Sequence, residues 1–287
     1  MNGVKLLLFS LLFVSCFQSC HVQHDNTIGD ANDTVKACDR YELPKSKYNV
    51  ILIIGQSNTH KGTGLNLNID TCAKGVMQLG RIGDRDHRIV PAAEPLDHHS
   101  PQKQKIGFGL TFANLFKNEL LLTSDTLVVI PCGKGSTGFC DNQWNKNDPL
   151  YKDAVHRVSY VMANHPGSVL QAILWHQGEK GSDRDNYEAL LMSFISDIRK
   201  ELNSPNVPFI LGGMVPFWVS ENVKRREQQN KIETVSNSIC NGGYADPEVP
   251  FAIVKEKNDI DHIHFDAAGQ REMGKRYFKE YLKVISE

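Results

Sequence analysis

The strongest signal along the chain is the apolar, β-branched run Tyr48-Asn49-Val50-Ile51-Leu52-Ile53-Ile54, which stops at Gly55. A run of this kind, without polar alternation, is the pattern of a strand covered on both faces in a parallel sheet. Similar runs recur at residues 126–130, 169–175 and 207–214, with a weaker one at Phe251 to Val254. Between them lie stripes of helical period: Phe112, Leu115, Phe116, Leu120; then Tyr151, Ala154, Val155, Val158, Met162; then Tyr187, Leu190, Leu191, Phe194, Ile195, Ile198, Leu202. A last stripe, Met273, Tyr277, Phe278, Tyr281, Leu282, Ile285, closes the chain. Strands alternating with amphipathic helices predict right-handed βαβ crossovers and a doubly wound α/β sheet, with ligands beyond the carboxyl ends of the strands. Residues 59–105 have little period and are too long for a plain connection, so they read as a substrate-shaping loop. No internal repeat or interdomain linker follows residue 48.

The amino terminus has a different pattern. Lys5 precedes an apolar run from Leu6 to Val14, followed by Ser15-Cys16 and Ser19-Cys20. The run is too short to span a bilayer and reads as a targeting signal. A small residue before a cysteine resembles a bacterial lipobox, although Phe13 and Phe17 stand where Leu is usual. Cys16 follows the apolar run directly and is the preferred lipid anchor, with Cys20 the alternative and an ordinary cleaved signal peptide the plainer reading. The expected organisation is a signal peptide over 1–15, a polar tether over 16–47 and a single α/β domain over 48–287. This predicts an exported cell-envelope lipoprotein that touches membrane only through its lipid.

Composition narrows the partners. The formal charge of -1 gives no basic stripe for nucleic acid, and Lys224-Arg225-Arg226, followed by Glu227, reads as a solvated helix face. The seven cysteines leave an even number once one is lipidated, and Cys132 and Cys140 could close a Gly-rich loop or stay free. No Cys-x-x-Cys spacing points to structural zinc, and no cofactor is expected. Oligomeric state is not specified.

Three segments carry chemistry. Ser57 lies just past the first buried strand, but Thr59 stands where a nucleophile elbow needs Gly, and alone such a serine reads as a helix cap. Near the other end, Asn258-Asp259-Ile260-Asp261-His262-Ile263-His264-Phe265 holds two Asp/His pairs three residues apart, Asp259 with His262 and Asp261 with His264. Either could supply a general base and its orienting carboxylate. A metal site joined by Asp97-His98-His99 is the rival reading. The third segment, Trp175-His176-Gln177-Gly178-Glu179, leaves a buried strand. Gln177 could offer an oxyanion donor and Glu179 a carboxylate, or the run is a βα loop whose Glu caps a helix.

In combination, Gly55-Gln56-Ser57-Asn58, Gly107-Phe108-Gly109-Leu110, Trp175 to Glu179 and Asp261-His262-Ile263-His264 resemble the blocks of the SGNH hydrolases, and within them the sialate O-acetylesterase-like proteins of carbohydrate esterase family six. The resemblance implies a three-layer α/β/α sandwich with a mostly parallel, flavodoxin-like five-stranded sheet. It further implies Ser57 as nucleophile, His264 as base, Asp261 as its acid with Glu179 as supporting or alternative acid, and an oxyanion hole of Ser57, Gly107 and Gln177. The implied substrate is an O-acetylated carbohydrate, sialate or acetylated polysaccharide. Two departures concern the leaving-group pocket: Thr59-His60 replaces the usual Met, and Gly135-Ser136-Thr137-Gly138 replaces a Gly-Gly-Thr-Ser run. Gly133-x-Gly135-x-x-Gly138 matches a dinucleotide fingerprint but opens a polar loop instead of a helix. Other readings are a silent glycan-binding lipoprotein of this fold, a general short-chain carboxylesterase, and a metal-dependent hydrolase using His98, His99, His262 and His264.

Overall fold

A computed structural model describes residues 46–182, 184–255 and 261–287. The expectations for the signal peptide, the tether, Cys16 and Cys20, and the Asp259 member of one Asp/His pair, lie outside the described residues. Along the chain the strands are β1 (Asn49–Gly55), β2 (Gly62–Thr63), β3 (Val76–Leu79), β4 (Ile89–Pro91), β5 (Lys105–Ile106), β6 (Leu127–Pro131), β7 (Val169–His176), β8 (Phe209–Gly212) and β9 (Gly242–Ala245). The helices are α1 (Gly109–Leu120), α2 (Pro149–Asn164), α3 (Tyr187–Glu201), α4 (Pro216–Ser220), α5 (Val223–Ser238) and α6 (Ala267–Ser286).

The main sheet has seven strands in the order β4-β3-β6-β1-β7-β8-β9. All neighbours are parallel except β4, which runs antiparallel at one edge. β1 lies in the middle and is buried at every position, as its unbroken apolar run requires. In one helical layer α1 meets α6, where Phe112 and Phe116 pack on Tyr281. In the other, Tyr151 of α2 packs edge-on against Phe194 of α3, which also contacts Trp175 in β7. The sandwich is therefore the expected three-layer α/β/α arrangement.

Three details differ from the sequence expectation. The sheet is wider than five strands, because β3 and β4 form inside the 59–105 stretch that reads as a loop. The residues 251–254 are not a strand: Phe251 and Val254 are exposed. The edge position beside β8 belongs instead to Gly242-Gly243-Tyr244-Ala245; a Cβ on Gly243 would press on Glu280 and Val284 of α6, and one on Gly242 on Ser236 and Ile239 at the end of α5. The Lys224-Arg225-Arg226 cluster does open a helix, α5, capped by the Asn222 side chain accepting from Lys224 N–H. The described cysteines Cys72, Cys132, Cys140 and Cys240 are all free thiols.

The sheet register fixes where chemistry can occur. Gly55 at the end of β1 pairs with His176 at the end of β7, and Ile53 pairs with Pro131 at the end of β6. Three loops, beginning at residues 56, 132 and 177, therefore leave the sheet side by side.

Candidate active site

Gly55 sets the direction of the first loop. Its φ is +123°, and a Cβ there would collide with the His176 carbonyl, so only glycine permits this close passage of β1 and β7. The chain then turns through a short 3-10 segment, Ser57–Thr59. Ser57 is 5 % exposed, and among the described residues nothing hydrogen-bonds its hydroxyl.

Asn58 joins this turn to the carboxyl-terminal loop. Its Nδ2 donates to the Ile263 carbonyl at 3.0 Å and to Glu179 Oε1, and its Oδ1 accepts from the Phe265 N–H at 3.0 Å. Gln270 Nε2 donates to the Asn58 carbonyl at 2.9 Å. The two residues flanking His264 are thus fixed to the residue after Ser57. On the other side of its ring, His264 Nδ1 is 2.8 Å from Asp261 Oδ2. Burial alone would raise the Asp261 carboxyl, but the hydrogen bond and charge of His264, with Lys255, hold it below the usual carboxylate range. Asp266 Oδ1 accepts from Gly269 N–H at 2.7 Å and caps α6 immediately after this loop.

Glu179 serves a different neighbour. It bonds Asn58 and lies 3.9 Å from His176 Nε2, and burial pushes its carboxyl up to about 7 against the pull of the Asn58 amide. Among the described residues the carboxylate hydrogen-bonded to the His264 ring is that of Asp261. His262, the base of the other Asp/His pair, faces Glu221 at 3.4 Å.

Gly107 and Gln177, the expected oxyanion donors beside Ser57, have other partners in the structure. The Gly107 N–H points to Glu94 Oε1 at 3.4 Å, and Gly107 packs against the Thr59 carbonyl. Both hydrogens of Gln177 Nε2 are used, on Gln56 Oε1 at 3.1 Å and the Lys180 carbonyl at 2.8 Å, while Tyr187 donates to Gln177 Oε1. The N–H groups of both residues thus already have acceptors. The loop after β6 passes close to Ser57: a Cβ on Gly135 would lie 3.8 Å from Ser57 Cβ and 3.0 Å from Lys61 Nζ. Among the described residues the Gly135 and Ser57 N–H groups have no acceptor. The sequence contained the signal in its Gly133-x-Gly135 spacing, but nothing in the spacing says which amide is unspent.

That loop is held from behind by buried histidines. The Gly133 N–H donates to His98 Nδ1 at 2.9 Å and the His99 N–H to the Gly133 carbonyl at 3.1 Å. His60 stacks on His98 with centroids 4.9 Å apart, and its Nδ1 is 2.7 Å from Thr59 Oγ1, which donates to the Gln56 carbonyl. Burial lowers His60 to about 3 and His98 well below its ordinary value, so both rings are neutral. His99 turns to Asp153. The set His98, His99, His262 and His264 does not converge, and among the described residues no three potential metal ligands come together. The Gly133 to Gly138 segment leads into a 3-10 turn, Phe139–Asp141, and not into a phosphate-binding helix.

Comparison with known proteins agrees with this architecture. A probable carbohydrate esterase of Arabidopsis thaliana is 28% identical over 209 residues, covering 69% of this chain and 72% of the relative. The solved structure of NanS superposes with a TM-score of 0.72 at 17% identity, covering 85% of this chain and 99% of that one. An Arabidopsis thaliana structure gives 0.67 at 21%, covering 83% and 99%. A carbohydrate acetylesterase from Xanthomonas citri gives 0.58 at 15%, covering 83% and 57%; at these identities the structures speak for the fold. Residues 47–283 match the family model described as carbohydrate esterase, sialic acid-specific acetylesterase, and the chain belongs to that family of carboxylic ester hydrolases.

Proposed function

We propose that the protein removes O-acetyl groups from carbohydrate through a Ser57–His264–Asp261 triad. His264 Nε2 takes the Ser57 proton as Oγ attacks the ester carbonyl, and Asp261 orients the ring and stabilises the imidazolium. The tetrahedral oxyanion is received by the Ser57 and Gly135 N–H groups, with the Lys61 ammonium adding positive potential beside Gly135. Collapse expels the sugar hydroxyl, which takes the proton from His264, and leaves an acetyl-enzyme. Water, activated by His264, then releases acetate. The family description supports a sialate or an acetylated polysaccharide as the substrate. The apolar run before Cys16 supports export on a lipid anchor, where glycans are accessible.

The observation that carries this reading is the 2.8 Å contact of Asp261 with His264 Nδ1, in a loop that Asn58 fixes to the nucleophile's turn. The test compares Asp261→Ala with Glu179→Ala on nitrophenyl acetate. Asp261→Ala is expected to lower kcat by about 10⁴-fold, well beyond the loss in Glu179→Ala. A larger loss for Glu179→Ala would reverse the assignment.

A further inference from the structure

The helix α4 starts three residues after β8, on the same sheet edge as Ser57. Its Trp218 and Val219 side chains are buried, yet Phe217 between Pro216 and Trp218 is 55% exposed. Phe217 therefore contributes little to the core and is costly to leave in water. Its ring meets that of His262, two residues before His264, with centroids 5.2 Å apart and planes at 82°. The His262 side chain is itself 51% exposed. The two rings form an open corner on the loop that carries His264.

The rim of this corner is polar. Glu221 Oε1 lies 3.4 Å from His262 Nδ1, and Glu221 Oε2 accepts from Arg225 at 2.9 Å. Arg225 lies over the Trp218 ring at 4.1 Å, and Arg276 lies over the exposed Phe251 at 4.7 Å. Both of those aromatic faces are covered by a cation. None lies over Phe217 among the described residues. An apolar ring face bordered by an imidazole and a carboxylate matches a pyranose, which presents a C–H face for stacking and hydroxyls for the flanking acceptors. A lipid surface or a protein partner would gain less, because the charged rim interrupts any continuous apolar patch.

We infer that Phe217 and His262 form a sugar-stacking subsite that holds a ring of the substrate adjoining the acetylated one. The inference rests on the carbohydrate esterase reading above. The test measures kcat and KM of wild type, Phe217→Ala and Phe217→Tyr on O-acetylated xylo-oligosaccharide, O-acetylated sialyllactose and the sugar-free ester nitrophenyl acetate. Phe217→Ala is expected to raise KM on whichever saccharide the wild type deacetylates by about tenfold more than on nitrophenyl acetate, with Phe217→Tyr restoring it. An equal loss on both kinds of substrate, or an unaltered saccharide KM, would overturn the subsite while leaving the esterase reading standing. Wild-type protein that hydrolyses nitrophenyl acetate but releases no acetate from either saccharide would overturn the carbohydrate reading and the subsite with it.

Discussion

Asn58 uses its entire side-chain amide to hold the His264 loop and Glu179 to the nucleophile's turn. Asn58→Ala should leave the triad residues present but loosely related, and displacements near 1 Å cost roughly 10²-fold in rate. Steady-state kinetics on nitrophenyl acetate check this; a wild-type kcat would show that Asn58 does not set the geometry. Glu179 adds a pH signature. Its carboxyl is raised from 4.5 to about 7 by burial, so the folded state binds its proton more tightly than the unfolded chain. The associated stability is fully present below 4.5 and is lost as pH rises through about 7, a span worth roughly 3 kcal/mol. Glu94, raised to about 8 by burial, acts in the same direction. Glu179→Gln keeps an acceptor for Asn58 and removes one titration. Urea unfolding at successive pH values should therefore show a shallower decline than wild type between 4.5 and 7, with the Glu94 part of the slope remaining.

At the scale of elements, the carboxyl ends of β1, β6 and β7 act as a single platform because Gly55 allows β1 to pass the His176 carbonyl. Gly55→Ala combines a φ of +123° with a backbone clash, and should destabilise the domain by at least about 2 kcal/mol in denaturant unfolding. The central strands were legible in the sequence because burial on both faces forces an apolar run. β9 was not, because Gly242-Gly243-Tyr244-Ala245 carries no apolar pattern, its glycines lying where a Cβ would meet α5 and α6. β3 was hidden by its length: Val76–Leu79 is too short to stand out in a polar stretch. The same contrast divides the site. Residue type and spacing single out Ser57 and two Asp/His pairs as candidates, and only the family resemblance prefers Asp261 with His264, the pair proposed here. The surroundings of the expected oxyanion donors are not legible in this way, because the acceptors that the Gly107 and Gln177 N–H groups meet are set by the fold. His98 is a candidate metal ligand by residue type alone, whereas in the structure its Nδ1 accepts the Gly133 N–H and steadies the loop bearing Gly135. His98→Ala should lower kcat more than it raises KM, and His98→Asn, which can place an acceptor near the same point, should recover most of the loss; equal activity in both variants would count against this role.

For the whole molecule, family membership makes the chain a carboxylic ester hydrolase, and the three adjoining loops at the carboxyl edge of the parallel sheet are where its chemistry is proposed. The described residues offer no convergent metal ligands, and a chelator should leave acetate release unchanged; inhibition restored by added metal would favour the metal-dependent alternative. The central claim is that Ser57 forms the covalent intermediate. Its most direct test is to inactivate the protein with a fluorophosphonate and map the adduct by peptide mass spectrometry. A single adduct on Ser57, formed in proportion to the loss of esterase activity, is expected; an adduct on another residue, or full turnover after labelling of Ser57, would rule out Ser57 as the nucleophile.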